Sequence, residues 1–182
     1  MNPFKSFLLL LSLFYNSFYS SAQNSALVDY DSFEDLVSEV KAHRSKRLVH
    51  IDEFNQLHHA GAVILDTRSK AMYDAKHVKG AIHLNFSDFT QDNLDRLFSS
   101  NDVSILIYCN NNMADDQVNF TSKIAVPGSF DVDKDPLTLA LNIPTYINLY
   151  GYGYRNVYEL TDLISVFDTR IEFEGTNAPS SN

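Results

Sequence analysis

SILIYCNNNMADD, residues 104 to 116, holds the only cysteine in a chain of 182 residues. Ile105, Leu106, Ile107 and Tyr108 form a run of β-branched, apolar and aromatic residues without polar alternation, the pattern of a strand buried on both faces. The run stops at Cys109, and three asparagines follow. Asn suits turns because its short amide bonds the local backbone and tolerates left-handed dihedrals. A thiol therefore sits where a central strand gives way to a tight loop. It is either a nucleophile in a cradle or a small apolar residue that fell at a strand end.

Working outward, AVILDTR (62–68) is a second strand of the same kind, ending at Asp66. SKAMYDAKHVKG predicts a short helix with a turn, and AIHLNF a short strand. SDFTQDNLDRLFSSND begins with a cap and places Phe89, Leu94, Leu97 and Phe98 on one helical face. Upstream, YDSFEDLVSEVKAHR sets Phe33, Leu36, Val37 and Val40 at helical spacing, with Asp31 or Ser32 as cap. RLVHIDEFNQLHHAG predicts a short strand, then a helix from near Asp52 to Gly61. Downstream, LALNIPTYINLYGYG is helical with Pro144 in its first turn; RNVYEL is a last strand, TDLISVFD a last short helix, and residues 171–182 a flexible tail. Strands buried on both faces and alternating with helices predict an α/β domain with a parallel sheet. In such sheets ligands gather beyond the carboxyl ends of the strands, where Asp66 and Cys109 both stand.

The first 22 residues are set apart from this pattern. Lys5, an apolar stretch from Phe7 to Tyr15 and the small residues Ser20, Ser21 and Ala22 have the order of a secretory signal. The stretch is far shorter than the roughly 20 residues of a membrane span. The expected mature chain starts near Gln23, is periplasmic or secreted, and inserts in no membrane; an uncleaved anchor is the alternative. Residues 23–47 form a helical leader and 48–170 one domain. The net charge of −9 excludes the basic footprint of nucleic-acid binding. One cysteine cannot form an internal disulfide, so the thiol is buried and inert, paired between chains, or reactive. His58 and His59 are adjacent and no spaced His/Asp set occurs, so neither metal nor other cofactor is expected.

VILDTRSKAMYDAKHVKGAIHLNF, ILIYCNNN and YGYRNVYEL together resemble the rhodanese-like domain over roughly residues 48–165. The shared pattern is a strand ending in Asp-x-Arg (Asp66 to Arg68), then a His-x-x-Gly-Ala-x turn (His77 to Ile82). A strand ending in Cys109 and a Gly-aromatic-basic-Asn-Val lead-in (Gly153 to Val157) complete it. The resemblance implies a three-layer α/β/α fold with a mostly parallel central sheet. It implies sulfurtransferase chemistry, in which the Cys109 thiolate takes sulfane sulfur as a persulfide and passes it to a thiol acceptor. The substrate-binding loop would be Asn110, Asn111, Asn112, Met113, Ala114 and Asp115. Inward N–H groups of that loop and the following helix N-terminus would lower the thiol pKa.

Two departures qualify the resemblance. The loop lacks the closing Arg common in the family, and Asp115 and Asp116 bring negative charge instead. That argues against phosphatase chemistry and against dianionic thiosulfate, and less against a neutral polysulfide or protein-bound persulfide. Second, 44 positions separate Cys109 from Gly153, so an insertion spans about 117–141. Lys123 within it, or Arg155, is a candidate accessory cation. The insertion, with the apolar Phe120, Ile124 and Val126 and a Pro127-Gly128 bend, is expected either to fold back as a partial lid with Lys123 toward the mouth or to run as a solvated excursion on the far side. Asp66 and Arg68 are expected as a structural pair near the site, and His77 as a turn brace. Two functional readings stand: an exported sulfurtransferase acting through Cys109, or a rhodanese-fold module that binds a partner or small anion.

Overall fold

The structure, a computed structural model, describes residues 29–126 and 135–178. The expected export signal, Pro127 and Gly128 and the last four residues of the chain lie outside these.

In chain order the elements are α1 (Tyr30–Arg44), β1 (Leu48–Val49), α2 (Ile51–His59), β2 (Val63–Asp66) and α3 (Lys70–Ala75). Next come β3 (His77–Val78), β4 (Ile82–His83), α4 (Gln91–Leu97), β5 (Ile105–Ile107), β6 (Met113–Ala114) and β7 (Ile124–Ala125). β8 (Leu137–Thr138), α5 (Asn142–Gly151), β9 (Val157–Leu160), β10 (Ile164–Ser165) and β11 (Phe173–Glu174) complete the chain.

Five strands form one parallel sheet in the order β1-β9-β5-β2-β4. The two-residue alternation of a strand explains its layers. Leu106 and Tyr108 face a core with Ile51 and Phe54 of α2 and with Phe120. Ile105 and Ile107 face the opposite core, with Val40 of α1, Leu94 of α4 and Tyr146 and Leu149 of α5. The expected three-layer α/β/α architecture is therefore present. β5 lies at the centre and receives apolar contact on both sides, which is why it reads as an uninterrupted apolar run.

Local details differ from the sequence reading. Helix α1 is capped by Asp29, whose side chain accepts from Ser32 N–H at 2.9 Å. The cap of α4 is Thr90, after a separate 3₁₀ turn at Phe86–Asp88. TDLISVFD is not helical: Ile164 and Ser165 pair with Met113 and Ala114 in a parallel bridge, which takes the backbone groups a helix would use.

The flexible tail is also corrected, over residues 171–178. β11 pairs antiparallel with β3, and Ile171 is buried in the core. Thr176 N–H and Asn177 N–H then donate to Asp74 O and Ala75 O. Gly175 permits this crossing: its φ is +125°, and a Cβ there would lie 2.6 Å from Ala75 O. Truncation after Arg170 removes the burial of Ile171 and Phe173, and should lower stability by roughly 2–4 kcal/mol. Urea unfolding of the full and shortened chains measures this; equal midpoints would mean that the segment contributes nothing.

Candidate active site

The floor of the site is set by a buried charge cluster at the ends of β2 and β5. Asp66 is fully buried and accepts from Arg68 N–H at 2.9 Å, from Arg68 Nη2 at 2.7 Å and from the Tyr108 hydroxyl. The guanidinium also donates to Lys76 O at 2.6 Å and to Asn119 O at 3.0 Å. Arg68 thus ties the strand end to the α3–β3 junction and to the start of the insertion. His77 braces that junction through Nδ1 on Tyr73 O at 2.7 Å and a ring stacked on Tyr73 at 3.7 Å. Asp66 and Arg68 are thus an ion pair beside the site, and His77 is bonded to the turn after α3.

Cys109 follows β5 and is 2% exposed. Its sulfur accepts from Leu141 N–H at 3.1 Å. The N–H groups of Asn110 and Asn142 also act on it. The expected depressed pKa is not found. Burial pushes the thiol up, the three N–H groups offset part of this, and the charge of Asp66 adds to the rise. Protonated thiol is therefore the resting form.

The loop after Cys109 is built differently from the six-residue cradle the sequence implied. Asn110–Asn112 form a 3₁₀ turn. Asn112 accepts from Cys109 N–H at 2.9 Å through Oδ1, and its Nδ2 donates to Leu160 O and Asp162 O. Asn111 reaches outward. Met113 and Ala114 leave as β6, Met113 into the core. Asp115 is exposed at φ 67° and lines a neighbouring groove. Asp116 accepts from Lys76 Nζ at 3.0 Å and from Asn119. Of the six expected loop residues only Asn110 lines the cysteine's pocket; Asp115 is exposed outside it, and Asp116 is turned to Lys76 and Asn119. The helix N-terminus at the sulfur belongs to α5, 32 positions later, so the insertion splits the cradle in two.

Thr121, Lys123, Leu139 and Leu141, from the segment after the cysteine's loop, line the pocket of Cys109. β7 and β8 pair as the base of a hairpin, and Leu139 N–H donates to Lys123 O. Asn111 latches both strands: its Oδ1 accepts from Lys123 N–H and its Nδ2 donates to Thr138 Oγ1, each at 2.7 Å. Between hairpin and sheet lies a pocket of about 330 Å³, lined by Cys109, Asn110, Arg68, Lys123, Leu139 and Leu141 among others. Phe120 is buried as expected, but Ile124 and Val126 are exposed rather than turned to the pocket. Lys123 therefore reaches the site and Arg155 does not. Ile105 pairs with Val157, so Arg155 stands level with Val103, six residues or about 20 Å before Cys109 along the strands. Its guanidinium instead stacks on Tyr150 at 3.7 Å.

The family model of the rhodanese-like domain matches residues 50–162. The chain belongs to that family. No curated protein matches it. Among solved structures it is similar to the BH2092 protein of Bacillus halodurans, at 18% identity and a TM-score of 0.47 over 80% of this chain and 90% of that one. It is also similar to the Rhodanese_3 like domain of the Anabaena sp protein Alr3790, at 19% identity and a TM-score of 0.33 over 56% and 77%.

As a rhodanese-like domain, the chain departs from sequence expectation at residues that could not be named in advance. Leu141, Asn142, Thr121, Ser69 and Glu159 surround or support the site. The one sequence signal for any of them was Glu159, a carboxylate in the otherwise apolar VYEL strand. Of the two Asn-x-Ser/Thr acceptor motifs, Asn119 is buried and bonded to Asp116 and Asn177, which blocks modification of the folded chain. Another hollow, of about 440 Å³, lies beside α2, but its Lys79 and Arg170 are paired with Glu172 and Asp168.

Three outcomes test this geometry. Arg68→Ala leaves a buried carboxylate without its cation and should destabilise the domain by about 3–5 kcal/mol in urea. Alkylation of Cys109 by iodoacetamide should rise with pH around a midpoint above the ~8.5 of free cysteine. Asn111→Ala, which unlatches the hairpin, should speed it roughly severalfold at pH 8.

Proposed function

We propose that the protein is a sulfurtransferase that carries sulfane sulfur on Cys109. The observation that carries this reading is the sulfur itself. It sits at the carboxyl end of the central strand, on the floor of a pocket, with N–H donors from the first turn of α5 aimed at it. Those donors suit the anion that forms there, whether thiolate or persulfide.

The protonated resting thiol favours one kind of donor. A persulfide anion R–S–S⁻ takes the Cys109 proton, and the Cys109 thiolate attacks the outer sulfur of the resulting R–S–SH; an S–S bond forms and the donor's S–S bond breaks. The leaving thiolate R–S⁻ takes the proton from Cys109–S–SH, giving Cys109–S–S⁻ and R–SH with no net oxidation. Met72, Leu139 and Leu141 provide apolar wall for the organic group R, and Lys123 a cation near the anionic end. An acceptor thiol reverses the same exchange. Neither nucleic acid nor metal has a part in this.

Burial of the thiol favours a second reading, a rhodanese-fold module that binds a partner or small anion without turnover. Mass spectrometry of the intact protein separates the two. Incubation with an organic persulfide or polysulfide should add one sulfur, released by a thiol and absent in Cys109→Ser. A protein that gains no sulfur from either donor is the module.

We also propose that the protein is exported, on the strength of the N-terminal charge, apolar stretch and small residues. No helix among the described residues is long and apolar enough to cross a membrane. N-terminal sequencing of protein from a secreting host should begin near Gln23; a start at Met1 in the membrane fraction would overturn export.

A further inference from the structure

Glu159 is 2% exposed, on a strand whose other residues are apolar. A carboxylate at that depth stands only when paired and hydrogen-bonded. Arg44, in the last turn of α1, supplies a fork: Nε and Nη2 lie 2.5 and 2.6 Å from the two carboxylate oxygens. On its other side Glu159 accepts from Asn142 Nδ2 at 2.6 Å. Asn142 is the first residue of α5, and the preceding N–H, of Leu141, is the one on the Cys109 sulfur. A continuous chain of contacts therefore runs from α1, ahead of the family's matched region, to the reacting thiol.

We propose that Glu159 and Asn142 are positioning residues for Cys109, and that Arg44 makes α1 part of the active unit. Helix α5 has no side-chain cap of its own. Its first turn is held by Asn142 to Glu159 and, one turn on, by Thr145 Oγ1 to Thr67 Oγ1 at 2.8 Å. The positive end of a helix acts over a short range, within its first turn. A small retreat of that turn weakens the hold on sulfur and leaves the pocket walls in place. Because the insertion has separated Cys109 from α5 along the chain, no short loop fixes this distance. The buried relay does so instead.

The inference rests on Cys109 as the reacting group, and the test does not depend on sulfur transfer. Iodoacetamide reports thiolate whether or not a persulfide forms. Charged and titratable groups near the thiol are Asp66, Arg68 and Lys123; those near Glu159 are Arg44, Arg47 and Tyr146. None of them changes in the variants chosen. In the full chain, Asn142→Ala should move the alkylation midpoint up by about one pH unit, with roughly tenfold slower reaction below it. Its melting temperature should hold or rise, since Ala favours helix. Glu159→Gln keeps an acceptor for Asn142 but leaves Arg44 without its counter-charge, and should give an intermediate shift. Glu39→Ala removes, from the same helix α1 but away from Glu159, the acceptor of the Tyr150 hydroxyl of α5, and should leave the profile unchanged. A wild-type profile in Asn142→Ala would overturn the proposal. So would an equal shift in Glu39→Ala, which would mark general loosening of α1.

Discussion

Asp66 and Arg68 form an ion pair with almost no solvent, and three separate pieces of the chain meet on it. Tyr108 brings the central strand, Lys76 O the end of α3, Asn119 O the start of the insertion, and Phe120 packs its ring under the guanidinium at 4.5 Å. Two buried charges are costly to desolvate and are retained only with well-formed hydrogen bonds. This pair has them, and its partners come from segments distant in sequence. The turn after β2, the cysteine's strand and the first residues of the insertion are therefore held in one arrangement. Lys76, Asp116, Asn119 and Asn177 extend the polar knot outward and fasten the C-terminal segment over it.

On that base the insertion changes what the cysteine experiences. In an uninterrupted loop the cysteine and the next helix would be neighbours in sequence, and their geometry would be local. Here the chain leaves after a single 3₁₀ turn, forms a hairpin and returns at Leu141. The return restores an N–H to the sulfur, while the hairpin covers it. Covering costs the thiolate its hydration, and the N–H groups recover only part of that. The result is a sheltered, protonated thiol under a latch of two hydrogen bonds from Asn111. Cover of this kind also slows access to the thiol, so one hairpin governs both its ionisation and its reach.

Helix α1 has a larger part than its place ahead of the domain implies. Besides Arg44 on Glu159, His43 meets the Tyr146 hydroxyl at 2.9 Å and Glu39 the Tyr150 hydroxyl, all on α5 or β9. Tyr146 and Tyr150 are thus part of the docking face for this helix, while Tyr152 bonds Phe89 O and Tyr154 packs on Phe98.

Much of this was legible in the order of residues. Uninterrupted apolar runs marked β2 and β5 as central, because a strand covered on both faces has no polar side to show. The Cys109-Asn junction marked the strand end. The 44 positions from Cys109 to Gly153 marked a long excursion of the chain, and its Lys123 lines the pocket. What the sequence could not state was every relation across distant segments. The tail resembled any polar terminus until β11 paired with β3. TDLISVFD carries helical spacing, but a parallel bridge to β6 took its backbone. Arg155 looked available until the parallel register put it at the far end of the sheet. The thiol's ionisation depends on how much protein covers it and which N–H groups return to it, and both are set by a helix that begins 32 residues later. Patterns of residue type report local periodicity and burial; electrostatics at a site is a sum over neighbours, and only the tertiary structure chooses the neighbours.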